Sequence, residues 1–231
     1  MKALYDLSHV FDENTYHPFG FASFRNIQMF PSHGCRHAIV TMSLHFATHI
    51  DAPWHMVEDG RRLDAVDIRE LAGEAVVVDL SAKYGPDRKE SKEISLRDFK
   101  KALADARQEI KKGDAVLVYT GWARLFHTEP SRYYAKYSTL SNETCRRLVE
   151  EGVRLIGLDV PDIDLPDNYK ETPFQPRNHR TVLGGGVYIL ENVGGEVERI
   201  LGRRVLLLPA PMKLGGEYAS GAPTRLLAME I

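Results

Sequence analysis

The sequence predicts a mixed α/β protein whose core is a β-sheet or barrel. Strand-like apolar segments outnumber amphipathic helices along the 231 residues, which is typical of a fold organised around strands. Hydrophobic residues make up 43 % of the chain and charged residues 27 %, so the chain can bury a sizeable core and disorder is excluded. The length favours one domain over residues 1–231.

Two helices are predicted from capping residues and from the helical spacing of apolar side chains. The first covers residues 96–112, where Phe99, Leu103 and Ile110 fall on one face. The second covers residues 142–151. A serine can cap the start of each helix, and a glycine can end it. These cap and stop residues are Ser95 and Gly113 for the first helix, and Ser141 and Gly152 for the second.

The strands are predicted from short apolar runs. A charged run at residues 83–93, which contains Gly85 and Pro86, is interpreted as a loop inside the domain because apolar segments flank it. The predicted strands are residues 75–80, 115–119, 153–158, 187–190, 205–208 and 225–231.

Charge and cysteine content restrict the expected partners and compartment. A net charge of −2 gives no reason to expect a nucleic acid partner, and no run reaches the roughly 18 apolar residues that span a bilayer. Asp6 and His9 interrupt the first apolar residues, so no secretory signal is visible. Cys35 and Cys145 lie far apart in the sequence. We therefore expect a reduced, cytoplasmic protein with a small-molecule substrate.

Residues 40–55, VTMSLHFATHIDAPWH, alternate between apolar and polar or small side chains. This period of two predicts a strand with one face in the core. The even, apolar positions are Val40, Met42, Leu44 and Phe46. The opposite face carries the titratable side chains His45, His49, Asp51 and His55.

These four side chains predict a divalent-metal site. Imidazole nitrogens and a carboxylate oxygen suit zinc, manganese or iron, and the small Ala47 leaves room for an ion. The alternative is a set of ordinary surface histidines, but four titratable groups backed by an apolar face favour the metal site. Helical spacing also relates His45 to His49, although the β-branched residues and Pro53 disfavour a helix here.

Residues 45–55, HFATHIDAPWH, resemble the HxGTHxDxPxH signature of the cyclase-like metal hydrolase family. That family includes bacterial kynurenine formamidases and isatin hydrolases. The chain departs from the signature at Ala47, where the family usually has glycine. Further segments also resemble the family's pattern. They are DLSH at residues 6–9, VLVYTGW at 116–122, GLDVP at 157–161, the pair His179 and Glu191, and the ending at 209–227.

The resemblance implies a β/β/α fold with a barrel-like β core and outer helices, and a homodimer or larger oligomer. It implies one or two divalent ions, zinc or manganese, with Asp51 able to bridge two of them. It also implies His55 as the acid–base residue, with a further metal ligand as the alternative. The implied ligands are His45, His49, Asp51, His179 and Glu191.

Two of these ligands would not be chosen from the local pattern. Glu191 ends an apolar strand at residues 187–191, which by itself indicates a solvent-exposed strand end. His179 follows Pro176 in a polar segment that reads as a loop. Their spacing to the family pattern makes both of them expected ligands.

The expected reaction is hydrolysis of a carbon–nitrogen amide bond by metal-activated water. The most specific expectation from the resemblance is an aryl formamide such as N-formylkynurenine, which would place the protein in tryptophan catabolism. The alternatives are a cyclic amide such as isatin, a lyase or cyclase reaction, and a non-catalytic metal- or ligand-binding protein. Four residues are expected to contact the substrate, with core packing as the alternative for the tryptophans. They are His17, Phe19, Trp54 and Trp122.

Overall fold

Seven strands of the described chain close into a barrel at the centre of the fold. The computed structural model describes residues 2–18, 20, 22–88 and 91–231. The strands are β1 (Leu4–Asp6), β2 (Ala22–Gln28), β3 (His37–Met42), β4 (His49–Asp51), β5 (Gly73–Asp79), β6 (Glu93–Ile94), β7 (Ala115–Tyr119), β8 (Thr139–Leu140), β9 (Leu155–Leu158), β10 (Tyr188–Glu191), β11 (Arg204–Pro211) and β12 (Gly221–Glu230). The order around the barrel is β12-β11-β5-β7-β9-β10-β4. Strand β4 pairs back to the N-terminal part of β12, and β1 pairs with the C-terminal part of β12. The predicted mixed α/β class with a barrel-like core is confirmed.

The barrel combines parallel and antiparallel pairs. Strands β5, β7, β9 and β10 are parallel to one another, and the remaining pairs are antiparallel. All six strands expected from apolar runs are present, with ends shifted by a few residues. The ring closes at β4, which pairs with β10 on one side and with β12 on the other. Strand β4 has only three residues, but it is hydrogen-bonded on both sides. A strand at a sheet edge would be paired on one side only.

Alternating residues of the strands fill two separate hydrophobic cores. The inner core lies inside the barrel and includes Leu117, Leu155 and Leu190. The barrel is narrow, since a Cβ at Gly157 would lie 2.4 Å from Cδ2 of Leu117. The outer core lies between the barrel and the helices, and includes Ile189. Each parallel strand is apolar on both faces, which explains why these strands appear in the sequence as continuous apolar runs.

Helices cover the outer face of the parallel strands. The α-helices are α1 (Ile68–Leu71), α2 (Ser81–Tyr84), α3 (Leu96–Asp105), α4 (Leu125–Thr128), α5 (Pro130–Ala135), α6 (Asn142–Glu150) and α7 (Arg177–Gly184). The 3₁₀-helices are Pro53–His55, Leu63–Ala65, Trp122–Arg124, Pro166–Lys170, Val197–Ile200 and Gly216–Tyr218. In the part of the chain that the structure describes, no helix has the length and apolar character needed to cross a bilayer.

The first predicted helix is shorter than the sequence indicates. Ser95 caps it as predicted, because its side chain accepts a hydrogen bond from the Asp98 amide. The helix ends at Asp105 instead of residue 112, because Arg107 adopts a left-handed conformation with φ of +52°. The Gln108 amide then donates to the carbonyl of Leu103, which closes the helix as a Schellman motif does. The sequence has no glycine at position 107 that would predict this helix end. The second predicted helix is confirmed as α6.

A buried carboxylate joins the ends of the neighbouring strands β7 and β9. Asp159 is fully buried directly after β9. Its Oδ1 accepts hydrogen bonds from the Thr120 amide at 2.8 Å and from the Thr120 hydroxyl at 2.7 Å. Its Oδ2 accepts from the Gly121 amide at 2.7 Å. Gly121 has a φ of +86°, so these bonds fix a turn that glycine adopts readily.

We expect Asp159→Asn to lower the free energy of unfolding by about 1–3 kcal/mol. The side-chain NH₂ of the asparagine would face a backbone N–H that, in the wild type, donates to a carboxylate oxygen. Urea denaturation measures this change. Asp105→Asn on the exposed face of α3 is the control, with an expected change of less than about 0.5 kcal/mol. A variant at position 159 as stable as the wild type would contradict the stabilising role of these bonds.

Candidate metal centre

The signature segment does not form the single strand predicted for residues 40–55. Strand β3 ends at Met42, and residues 43–48 form turns. Strand β4 begins at His49, and a 3₁₀-helix follows it over Pro53–His55. The prediction of one continuous strand is therefore wrong, because only residues 40–42 and 49–51 lie in strands.

The strand is interrupted at Ala47, between the two signature histidines. Its φ of +53° lies in the left-handed region, which is incompatible with an extended chain. Its carbonyl accepts a hydrogen bond from Nδ1 of His49 at 2.9 Å. Phe46 is fully buried as predicted, whereas Val40 is 44 % exposed, so the predicted apolar face is wrong there. A turn, and not strand alternation, directs His45 toward the other ligands.

Two neighbouring strands bring His49, Asp51 and Glu191 together. His49 and Asp51 flank Ile50, which packs inside the barrel, so both side chains point to the outer face. Glu191 ends β10 directly opposite His49 in the antiparallel register. Nε2 of His49 lies 3.3 Å from Oδ1 of Asp51 and 3.3 Å from Oε2 of Glu191. Glu191 is only 4 % exposed, so it is not the solvent-exposed strand end that its local pattern indicates.

His45 reaches the cluster from the turn that precedes β4. Its Nδ1 lies 2.6 Å from Oδ1 of Asp51, and its Nε2 lies 3.1 Å from the hydroxyl of Ser220. Gly221 stands opposite Asp51 on β12, and a Cβ there would lie 2.7 Å from Cε1 of His45. The absence of a side chain at position 221 therefore makes room for the imidazole.

His179 comes from helix α7, and not from the loop that the sequence predicts. Its Nδ1 donates a hydrogen bond to Oδ2 of Asp164 at 2.9 Å, which orients the ring. Its Nε2 then lies 3.6 Å from Oδ2 of Asp51 and 3.5 Å from Oε1 of Glu191. The structure thus brings all five expected ligands into one cluster. They are His45, His49, Asp51, His179 and Glu191.

The donor atoms of this cluster fit a divalent cation. Nε2 of His49 and Oδ2 of Asp51 are buried and have no hydrogen-bond partner within the described residues. Because Nδ1 of His49 is occupied by the Ala47 carbonyl, the lone pair of the neutral ring lies on Nε2. Unpaired buried polar atoms cost free energy unless a ligand satisfies them. Nitrogen and carboxylate donors together suit zinc, manganese and iron.

The carboxylates give the cluster a negative potential that favours a cation. Burial by itself lowers the pKa of His49, but Asp51 and Glu191 outweigh burial and raise this pKa to about 10. Burial also disfavours protonated His179, yet Asp162 and the other nearby carboxylates hold its pKa well above the usual value. A divalent cation competes with protons for the same nitrogens.

The candidate metal ligands fall into overlapping groups. Their donor atoms form three such groups in the described chain, and the atoms of each group lie within 4.8 Å of one another. Asp51 and Glu191 each belong to two groups. The groups are His45, Asp51 and His55; His49, Asp51 and Glu191; and Asp162, His179 and Glu191.

His55 lies where the cluster meets a cavity. Its ring stacks on His45 with centroids 4.0 Å apart, and it lies edge-on to His179 at 5.6 Å. Burial lowers the pKa of His55 to about 3; the Asp51 carboxylate opposes this effect, and the neighbouring histidines add to it. The imidazole is therefore neutral near pH 7 in this arrangement and can accept a proton. One of its nitrogens also belongs to a candidate metal group, as the ligand alternative requires.

The cavity above the cluster has a volume of about 530 Å³, within the range of small-molecule sites. His45, His55, His179 and Glu191 reach it from the cluster. Aromatic and small side chains supply most of the remaining lining. These include Tyr16, His17, Ser43, Ser131, Tyr134 and Phe174.

The four residues expected at the substrate have different locations. His17 lines the cavity, with its ring 5.2 Å from that of Tyr134. The two tryptophans are not among the described residues that line it. Trp122 is buried in the outer core and donates its indole N–H to the carbonyl of Tyr84, and Trp54 donates to the carbonyl of Glu217. Phe19 lies outside the described residues.

Sequence reasoning missed two carboxylates and a hydroxyl of this site. Asp162 and Asp164 follow the GLDVP segment at residues 157–161. Two carboxylates placed two residues apart after this segment are a signal that could have identified them. Ser220 contacts His45 from a distant part of the chain, and no local pattern marks it.

The chain matches a known family and several characterised relatives. The Cyclase family model, described as "Putative cyclase", matches residues 5–165. The kynurenine formamidase of Bacillus cytotoxicus is 29 % identical over 188 residues, covering 81 % of this chain and 77 % of that protein. The kynurenine formamidase of Bacillus mycoides is 28 % identical over 192 residues, covering 83 % of this chain and 79 % of that protein.

Solved structures share the fold over nearly the whole chain. Isatin hydrolase A from Labrenzia aggregata, bound to benzyl benzoate, has a TM-score of 0.83 at 22 % identity, covering 99 % of this chain and 93 % of that one. A structure described as a potential metal-dependent hydrolase with cyclase activity has a TM-score of 0.74 at 23 % identity, covering 100 % and 99 %. These similarities establish the barrel fold with its outer helices.

We expect Ala47→Val to destabilise the protein by about 1–3 kcal/mol and to lower its metal content. A β-branched residue is disfavoured at a φ of +53°, and relaxation would move the carbonyl that orients His49. Ala47→Gly is the control, and its stability should stay close to that of the wild type. Glycine relieves roughly 1 kcal/mol of left-handed backbone strain, and this gain offsets the loss of one buried methyl group, about 0.8 kcal/mol. Thermal denaturation and elemental analysis measure both variants. A valine variant with wild-type stability and metal content would contradict this expectation.

A graded series tests the contribution of His179 to metal binding. His179→Ala should lose most of the bound metal, and Asp164→Asn should weaken metal affinity by about 10- to 100-fold, because the ring remains but loses its orienting bond. Chelator competition and metal-to-protein ratios after dialysis give both values. His37→Ala, at an exposed position on β3, is the control. Unchanged metal content in His179→Ala would remove His179 from the ligand set.

Proposed function

The chain belongs to the Cyclase family, and from this premise we propose that it is a divalent-metal-dependent hydrolase of carbon–nitrogen amide bonds. The observation that carries the proposal is the buried cluster of histidine and carboxylate side chains at the cavity, with unpaired donor atoms on His49 and Asp51. The kynurenine formamidases among its relatives support the same reaction class.

Five residues would hold the metal, which we propose to be zinc or manganese with one or two ions per chain. Asp51 and Glu191 would be central to this set, since each belongs to two of the donor groups. A bound divalent ion lowers the pKa of its water from 15.7 to about 7 and polarises a carbonyl group. The proposed ligands are His45, His49, Asp51, His179 and Glu191.

His55 would be the acid–base residue. Its neutral ring lines the cavity beside the cluster, so it can take a proton from the attacking water. Water then adds to the amide carbon, and the carbon–nitrogen bond breaks. The proton held by His55 passes to the leaving nitrogen, and an amine and a carboxylic acid are released. The acid then loses its proton to solvent and becomes a carboxylate. Asp164 contributes by holding the ring of His179 in one orientation.

The proposed substrate is an aryl formamide, the class to which N-formylkynurenine belongs. Two findings support this choice: the names of the relatives and the aromatic lining of the cavity formed by Tyr16, Tyr134 and Phe174. A cyclic amide such as isatin is the alternative, because the same walls would accept a fused ring.

We also propose that the chain forms a homodimer or a larger homo-oligomer. Most residues of the hairpin of β2 and β3 are exposed, and an isolated two-stranded hairpin is marginally stable in water. Apolar side chains between 38 % and 53 % exposed on this hairpin would suit burial against a second copy. They are Ile27, Met29, Phe30, Ile39 and Val40.

We propose the cytoplasm as the compartment. Cys35 and Cys145 are free thiols, which is what a reducing environment maintains.

The experiment that tests the proposed function is turnover by the purified protein loaded with zinc or manganese, compared with a chelated sample. The probes are N-formylkynurenine, its uncharged analogue 2′-formamidoacetophenone, and isatin. Metal-dependent release of formate would support the aryl formamide, and ring opening of isatin alone would favour the cyclic amide. No turnover of any probe with either metal would contradict the proposed hydrolase.

We expect His55→Ala to lower kcat by at least about 100-fold, because general acid–base catalysis contributes factors of this size. Metal content should stay close to that of the wild type, since the five other side chains supply the donors. Loss of metal together with activity would instead make His55 a ligand. His127→Ala is the control, because His127 is a histidine that does not line the main cavity.

A further inference from the structure

The cavity has few groups that could bind a charged substrate. The described residues that line it include no lysine or arginine, although the chain has 30 of them. Its lining carboxyl groups, Asp162 and Glu191, belong to the candidate metal groups. Outside the candidate metal groups, the described lining therefore offers no lysine or arginine to a carboxylate.

His17, the lining histidine outside the candidate metal groups, does not supply a positive charge. Burial lowers the pKa of His17 to about 4, and repulsion from His49 adds to this effect. Its ring is packed 5.7 Å from Phe46 and 5.2 Å from Tyr134. Near pH 7 His17 therefore contributes a neutral aromatic surface.

The cavity walls fit an aromatic ring. Tyr134 is surrounded by the rings of Tyr16 at 5.9 Å, His17 at 5.2 Å and Tyr133 at 5.2 Å, all in tilted or edge-on geometry. Ring contacts of this kind stabilise a further aromatic group beyond the burial of its area. Neutral hydroxyls also line the cavity, at Ser43 and Ser131.

An amino acid substrate would lose free energy in this cavity. Its carboxylate would leave water without a cationic partner, and burial of an unpaired charge is strongly unfavourable. An uncharged aromatic amide would lose no charge hydration and would keep the contacts with the aromatic walls. The two kinds of substrate differ in a part of the molecule that is remote from the bond that is cleaved.

We infer that the cavity selects an uncharged aromatic amide over a zwitterionic amino acid that carries the same amide. This inference rests on the proposed amide hydrolase function and specifies its substrate class. It departs from N-formylkynurenine, whose amino acid end carries one positive and one negative charge.

A matched pair of probes tests the inference. N-formylkynurenine and 2′-formamidoacetophenone share the formamide, the aryl ring and the ketone, and they differ in the charged amino acid end. With the metal-loaded wild-type protein, we expect kcat/KM to be at least about tenfold higher for 2′-formamidoacetophenone. Equal values, or a higher value for N-formylkynurenine, would overturn the inference and leave the hydrolase function intact. Failure to hydrolyse either probe or isatin would instead count against the proposed function.

Binding of the two products gives a readout that is independent of turnover. Calorimetry with 2′-aminoacetophenone and L-kynurenine should give a dissociation constant at least about tenfold lower for the uncharged 2′-aminoacetophenone, in both the metal-loaded and the chelated protein. Equal affinities, or tighter binding of L-kynurenine, would overturn the inference. The chelated sample removes the contribution that a bound ion would make to binding of the carboxylate.

Discussion

The buried carboxylate of Asp51 is the group on which the candidate metal centre depends. It is fully buried, and nitrogens of three histidines lie within 3.6 Å of its oxygens. A carboxylate removed from water is stable only when positive charge or hydrogen-bond donors surround it. The histidines meet part of this requirement, and a divalent cation bound between them would meet the rest. The same requirement explains why His45, His49 and His179 converge from separate segments.

The closed barrel determines which way Asp51 faces. Strand β4 pairs with β10 and β12 at once, so its register is fixed from both sides. A slip of one residue would turn Ile50 outward and bury His49 and Asp51 inside the barrel. In the observed register, Glu191 stands beside His49, and Gly221 leaves space for His45. The same pairing that closes the barrel therefore assembles the ligands.

The segments outside the barrel place different residues on the two sides of this cluster. Helix α7 presents His179, and Asp164 holds its ring, so one side of the cluster is rigid. His55 faces the cavity on the other side as a neutral imidazole. Aromatic walls without a described cationic side chain extend away from it. In the proposed mechanism, substrate binding and proton transfer would thus fall on residues of different segments, while the barrel would supply the fixed support.

The sequence by itself determined the fold class, most strands and the identity of the signature residues, because side-chain type and spacing are local signals. Helix α6 is an example, since Ser141 and Gly152 mark its ends. The tertiary structure alone decided the turn at Ala47, the helical position of His179 and the contact of Asp164 with it. Those features arise from packing and hydrogen bonds between segments distant in the sequence, and such contacts leave no periodic pattern along the chain.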